Sequence, residues 1–116
     1  MYSNPPVHGA RLVSHVLNDP SLYKQWEGDC KGMAHRIQSM RSKLVSALEH
    51  AGSQKNWAHI TDQIGMFCYS GMTKEQVQAI KEKHSVYLTQ DGRISMAGVT
   101  SNNVEYLAES MHNVTK

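Results

Sequence analysis

A chain of 116 residues, 40% of them apolar, has room for one core, and a formal net charge of +2 is too small to imply a partner. Its 12 lysines and arginines are interspersed with acids, which leaves no cationic footprint for nucleic acid, and no apolar run approaches a membrane span. Cys30 and Cys68 have no second cysteine close by, so neither a disulfide framework nor a CxxC site is indicated, and both read as core thiols of a reducing compartment.

The opening residues, Met1-Tyr2-Ser3-Asn4-Pro5-Pro6, carry neither a secretory nor an arginine-rich transit pattern, so no address is expected at this end. Each proline pushes its predecessor away from helical angles, and an extended stretch is expected there. From Gly9 onward Leu12, Val13, Val16 and Leu17 recur at helical spacing, giving a short helix that stops near Asn18-Asp19-Pro20. Asp19 is a good N-cap for the next helix, with Pro20 at its first position, where a missing N–H costs nothing.

That second helix is the longest feature of the sequence. Leu22, Trp26, Cys30, Met33, Ile37, Met40, Leu44 and Leu48 form its apolar stripe until Gly52. At about 1.5 Å per residue it would run roughly 45 Å, against a radius of gyration of about 13 Å for a compact domain of about 100 residues. One end is therefore expected to pack against material outside this chain. Gly28 and Gly32 offer places for a bend.

Ile64 to Tyr69 is apolar on both alternations, which predicts a central strand buried on both faces, ended by Gly71. Thr73 with Gln76 three residues later is a capping-box signature for a helix carrying Val77 and Ile80 and ending near His84. Val86-Tyr87-Leu88 and Ile94 to Val99 then read as a strand pair around the Asp91-Gly92 turn, and Val104, Leu107, Ala108, Met111 and Val114 as a closing helix. The expected fold class is α/β, a small sheet covered by helices.

Arg93 should stand where the loop after Asp91-Gly92 becomes a strand. An arginine mounted there can offer its planar fork to a carboxylate through two parallel hydrogen bonds, which a lysine could not reproduce. The seven histidines form no HxxxH or HExxH pair, so no metal site is expected. GxGxxG, GxxxxGK[ST] and GxSxG are all absent, Ser95 has no nearby base, and the methionines read as core filler. The residues describe a binding half without chemistry of its own.

Three stretches resemble a known family: residues 2–11, residues 57–67 and residues 91–100, in that order along the chain. They are similar to the C-terminal part of the aspartate aminotransferase family, whose members are fold-type I, pyridoxal-phosphate-dependent transferases, and the likeness extends over essentially the whole chain. The mitochondrial type is the nearer resemblance. The resemblance implies that residues 1–116 are the small-domain portion of an aminotransferase class I/II domain, with the N-terminal loop and the long connecting helix included. It implies transfer of an amino group between L-aspartate and 2-oxoglutarate.

Carried over residue by residue, Arg93 matches the arginine that binds the substrate α-carboxylate, and Phe67 matches an aromatic residue of the active-site wall. Ser3 and Asn4 match a loop near the active site and dimer interface, where they would serve the neighbouring subunit of a homodimer. The Schiff-base lysine, the acid at the pyridine nitrogen, the phosphate cradle and a second substrate arginine all lie upstream of the matched residues in the family. The resemblance thus places pyridoxal 5'-phosphate outside this chain. Dicarboxylic amino acids and 2-oxo acids are the implied substrates, with no nucleic acid and no membrane as partners. The implied compartment is the mitochondrial matrix, with the cytoplasm as second choice. Two other readings stay open: another dicarboxylate or aromatic aminotransferase, and a non-catalytic α/β carboxylate-binding or interaction module.

Overall fold

The computed structural model describes residues 6–116, which fall into two compact units divided between His35 and Arg36. The elements are α1 (Val7–Asn18), α2 (Pro20–His50), α3 (Ala58–Asp62), β1 (Phe67–Tyr69), α4 (Lys74–His84), β2 (Arg93–Ser95), a 3-10 turn (Met96–Gly98) and α5 (Val104–Thr115). No described helix is long and apolar enough to cross a membrane.

The first unit holds α1 and the start of α2. Its local chemistry is as expected: Asp19 Oδ1 accepts from the backbone N–H of Ser21 at 3.0 Å and of Leu22 at 3.2 Å, capping α2 ahead of Pro20. Leu12, Val13 and Leu17 of α1, with Trp26 and Met33 of the long helix's stripe, are exposed.

In the second unit the same stripe is covered. Met40, Leu44 and Leu48 of α2 are buried with Ile60 of α3, Val77 and Ile80 of α4, and Leu107 and Met111 of α5. Each such side chain contributes about 1.5–3 kcal/mol by leaving water. Gly52, at φ +88°, turns the chain out of α2, and the Ser53 N–H reaches back to Leu48 O, as in a Schellman close. The capping box on α4 is complete. Thr73 Oγ1 accepts from Gln76 N, and the Gln76 side chain accepts from Thr73 N.

The sheet departs from expectation in three places. The run from Ile64 to Tyr69 is not a strand buried on both faces, because only Phe67–Tyr69 is extended and only Cys68 is buried. Gly65, at φ +104°, breaks the extended run, and Ile64 is 97% exposed. The strand is also not central: among the described residues β1 has one partner, β2, in a two-stranded antiparallel ribbon. Val86–Leu88 does not pair with β2, since Ser85 takes left-handed angles and the Val86 N–H bonds to Ile80 O, wrapping the chain over the end of α4. Finally, Ile94 to Val99 is not all strand, because the chain coils into the 3-10 turn after Ser95 and Val99 N closes on Met96 O.

Among the described residues no third strand lies on the ribbon's outer edge. There the Gln63 side-chain amide accepts from Tyr69 N at 2.7 Å and donates to Tyr69 O at 3.0 Å, taking the place of a neighbouring backbone.

Candidate carboxylate-binding face

The turn before β2 is built to hold one residue still. Gly92 N donates to Thr89 O at 2.9 Å, and Gly92 sits at φ +87°, a conformation that glycine adopts without steric cost. A side chain there would also collide, since a Cβ would stand 3.0 Å from Ser70 Oγ and 3.1 Å from Met72 O. Ser70 closes the turn from the other side, donating to Gly92 O through its backbone N–H at 2.9 Å and its hydroxyl at 2.6 Å. Arg93 N then donates to Thr89 Oγ1 at 2.9 Å. Arg93 is the first residue of β2, so the loop does become a strand at the expected residue.

The guanidinium lies in solvent. Its Nε stands 3.0 Å from Asp91 Oδ2, with both side chains 56% exposed. Among the described residues no protein acceptor takes its terminal nitrogens, which leaves that edge of the fork open to a carboxylate. Asp91 is itself steadied by the Thr89 hydroxyl, which donates to Oδ1. That hydrogen bond, followed by the Arg93 charge, holds the Asp91 carboxyl below the usual carboxylate range. A depressed folded-state pKa contributes stability above the unfolded value and loses it as pH falls through the folded one. Asp91 should accordingly stay ionised, and paired with Arg93, to lower pH than an ordinary aspartate. A carboxyl-carbon NMR titration should show a low midpoint that moves up in Thr89→Val, and an unmoved midpoint would remove the hydroxyl as the cause.

Register decides what faces the guanidinium. Phe67 pairs with Ser95, Cys68 with Ile94 and Tyr69 with Arg93. Opposed residues of an antiparallel pair share a face, so Phe67, Tyr69, Arg93 and Ser95 all lie on the exposed side, while Cys68 and Ile94 turn inward. Phe67 is Arg93's diagonal neighbour and Tyr69 its direct one, separations of about 7–8 Å and about 5 Å. The structure thus brings Arg93 and Phe67 together, and Phe67 is no buried core residue. Ser3 and Asn4 lie outside the described residues. Tyr69 was not expected on this face; its signal was the two-residue spacing from Phe67.

Arg41 was also missed. It is 2% exposed, and it donates to Ile60 O (2.8 Å), Gly65 O (2.8 Å) and Phe67 O (2.9 Å). Its position four residues after Ile37, three before Leu44 and seven before Leu48 marks a core-facing site on α2. Beside it, burial pushes the Cys68 thiol up, with Arg41 pulling in the opposite sense.

An arginine fork beside aromatic side chains on a short ribbon suits an organic acid. Residues 1–111 match the model of the family described as aminotransferase class I and II, and the chain belongs to that family. It is 59% identical over all 116 residues to the mitochondrial aspartate aminotransferase of Gallus gallus, of which it covers 27%. The chain thus spans about a quarter of the length of that relative. Among solved structures, a mitochondrial aspartate aminotransferase from Trypanosoma brucei superimposes with a TM-score of 0.97 at 45% identity, covering 100% of this chain and 30% of that one. An aromatic-amino-acid aminotransferase from Burkholderia pseudomallei, described as covalently bound to pyridoxal phosphate, gives 0.96 at 38% identity over 99% of this chain and 29% of its own. The fold is the corresponding portion of a pyridoxal-phosphate-dependent aminotransferase.

The described residues do not fit the cofactor. A Schiff-base lysine is activated by desolvation or a cationic neighbour, and every described lysine is exposed. No group of three or more His, Cys, Asp or Glu able to hold a metal ion stands together among the described residues either.

Proposed function

We propose that this chain is the C-terminal, small-domain part of an aspartate aminotransferase, and that Arg93 binds the substrate α-carboxylate. The observation that carries the reading is the open edge of the Arg93 guanidinium, on the exposed ribbon face that also bears Phe67. In the full-length protein an amino group would pass between L-aspartate and 2-oxoglutarate. Arg93 would engage the carboxylate bidentately and fix the orientation of the substrate's Cα, while Phe67 would line the wall beside it and help exclude water. Pyridoxal 5'-phosphate would be held by upstream parts of the aminotransferase.

The protein would work as a homodimer in the mitochondrial matrix, with Ser3 and Asn4 serving the neighbouring subunit. The nearness of both aspartate and aromatic aminotransferases makes the distal side-chain preference the point to measure. The full-length protein, incubated with 2-oxoglutarate, should form glutamate from L-aspartate faster than from L-phenylalanine. Preference for phenylalanine would replace aspartate by an aromatic substrate, and no glutamate from either would overturn the reading.

A further inference from the structure

We infer that Arg41 is a positioning residue for the carboxylate-binding face, acting through backbone carbonyls without touching substrate; the inference rests on the reading of that face given above. A buried guanidinium is costly, and among the described residues no carboxylate neutralises Arg41. What it has instead is a set of carbonyl oxygens from three successive pieces of chain: α3 at Ile60, the loop at Gly65, and the first residue of β1 at Phe67. Of these, Gly65 lies in the loop between α3 and β1, and the register turns the Phe67 oxygen away from β2, so the ribbon's ladder fixes neither. Gly65 stands at φ +104°, so the loop has no regular structure of its own to set its path.

The consequence is mechanical. Phe67 O points away from β2, because its neighbours Met66 O and Cys68 make the contacts to the partner strand, Met66 O accepting from Met96 N at 2.8 Å. Arg41 therefore grips β1 by its outer edge, directly at the residue whose ring lies on the site face. Through the Phe67↔Ser95 and Tyr69↔Arg93 pairs, the same grip sets the height of β2 and of Arg93. Leucine or methionine would fill the space on α2 but could not hold three oxygens from a rigid planar fork.

The test is a double-mutant cycle in the full-length protein, read by the affinity for succinate, a dicarboxylate that cannot react. Arg41→Lys keeps the charge and loses the fork, and it should weaken succinate binding by about tenfold. In an Arg93→Lys background the same change should have little further effect on succinate, while its effect on Tm persists. A purely structural role would instead give additive losses, or a lower Tm with unchanged affinity, and either result overturns the inference. Gly65→Ala, which strains the loop at an open, exposed position and leaves Arg41 in place, should reproduce the Arg93-dependent loss even where Arg41→Lys fails to fold. Normal succinate binding by folded Gly65→Ala would count against the grip. If Arg93→Lys alone leaves succinate binding intact, the site reading itself fails, and the inference with it.

Discussion

Arg93→Lys in the full-length protein should lower kcat/KM for L-aspartate by on the order of a hundredfold, about 3 kcal/mol, with little change in Tm. The separation of the two effects follows from where Arg93 stands. Its partner Asp91 is as exposed as it is, and such surface pairs contribute little to folding. Lysine would keep the charge and lose the planar fork, so it could meet only one carboxylate oxygen at a time in a fixed direction. The loss should be similar for every substrate that shares the α-carboxylate, aromatic amino acids included. An unchanged kcat/KM would remove Arg93 from the site, whereas a loss confined to one substrate would place it at the distal end.

Gly92→Ala should destabilise the protein by about 3 kcal/mol and reduce kcat/KM along with stability. The left-handed conformation at φ +87° costs an L-residue about 1–2 kcal/mol. Overpacking adds about 1–3 kcal/mol, offset by about 0.4–1 kcal/mol from the stiffer unfolded chain. The close contacts decide the sign: Ser70 Oγ can rotate away from a methyl group, but Met72 O is backbone and stands only 3.1 Å from the added Cβ. If the turn shifts to relieve that contact, the Ser70 bonds to Gly92 O lengthen and Arg93 moves with them. Urea unfolding and substrate kinetics on one variant would read both effects. A stability change below about 1 kcal/mol would mean that the turn absorbs the methyl group without strain.

The helices were legible because local chemistry and periodicity agreed. Asp19 with Pro20, and Thr73 with Gln76, are short-range signals whose partners lie within one turn, and each formed the contact its spacing implied. The position of Arg93 at the head of β2 was legible for the same reason, since Asp91-Gly92 marks a tight turn whatever lies beyond it. The strands were not, because a strand is defined by its partner. Ile64 to Tyr69 has the apolar content of a doubly covered strand, yet among the described residues no element covers the Phe67 and Tyr69 side of the ribbon. Val86 and Leu88 look β-rich for a different reason: they are half-buried where the chain closes over α4. Arg41 was hidden by its charge, which suggests a solvated face, although its spacing from Leu44 and Leu48 points inward.

The Gln63 amide on the edge of β1 has a wider consequence. A short ribbon with exposed aromatic residues and a row of free backbone donors and acceptors is a template onto which another polypeptide can zip, the first step towards ordered aggregation. Natural sheets blunt such edges with charges, bulges or prolines. Here one glutamine occupies both the N–H and the C=O of Tyr69, and the Arg41 fork occupies the oxygen of Phe67. An incoming strand would have to displace both before gaining its first pair of bonds. The face bearing Phe67 and Tyr69 is thus left open while Gln63 and Arg41 blunt the adjoining edge.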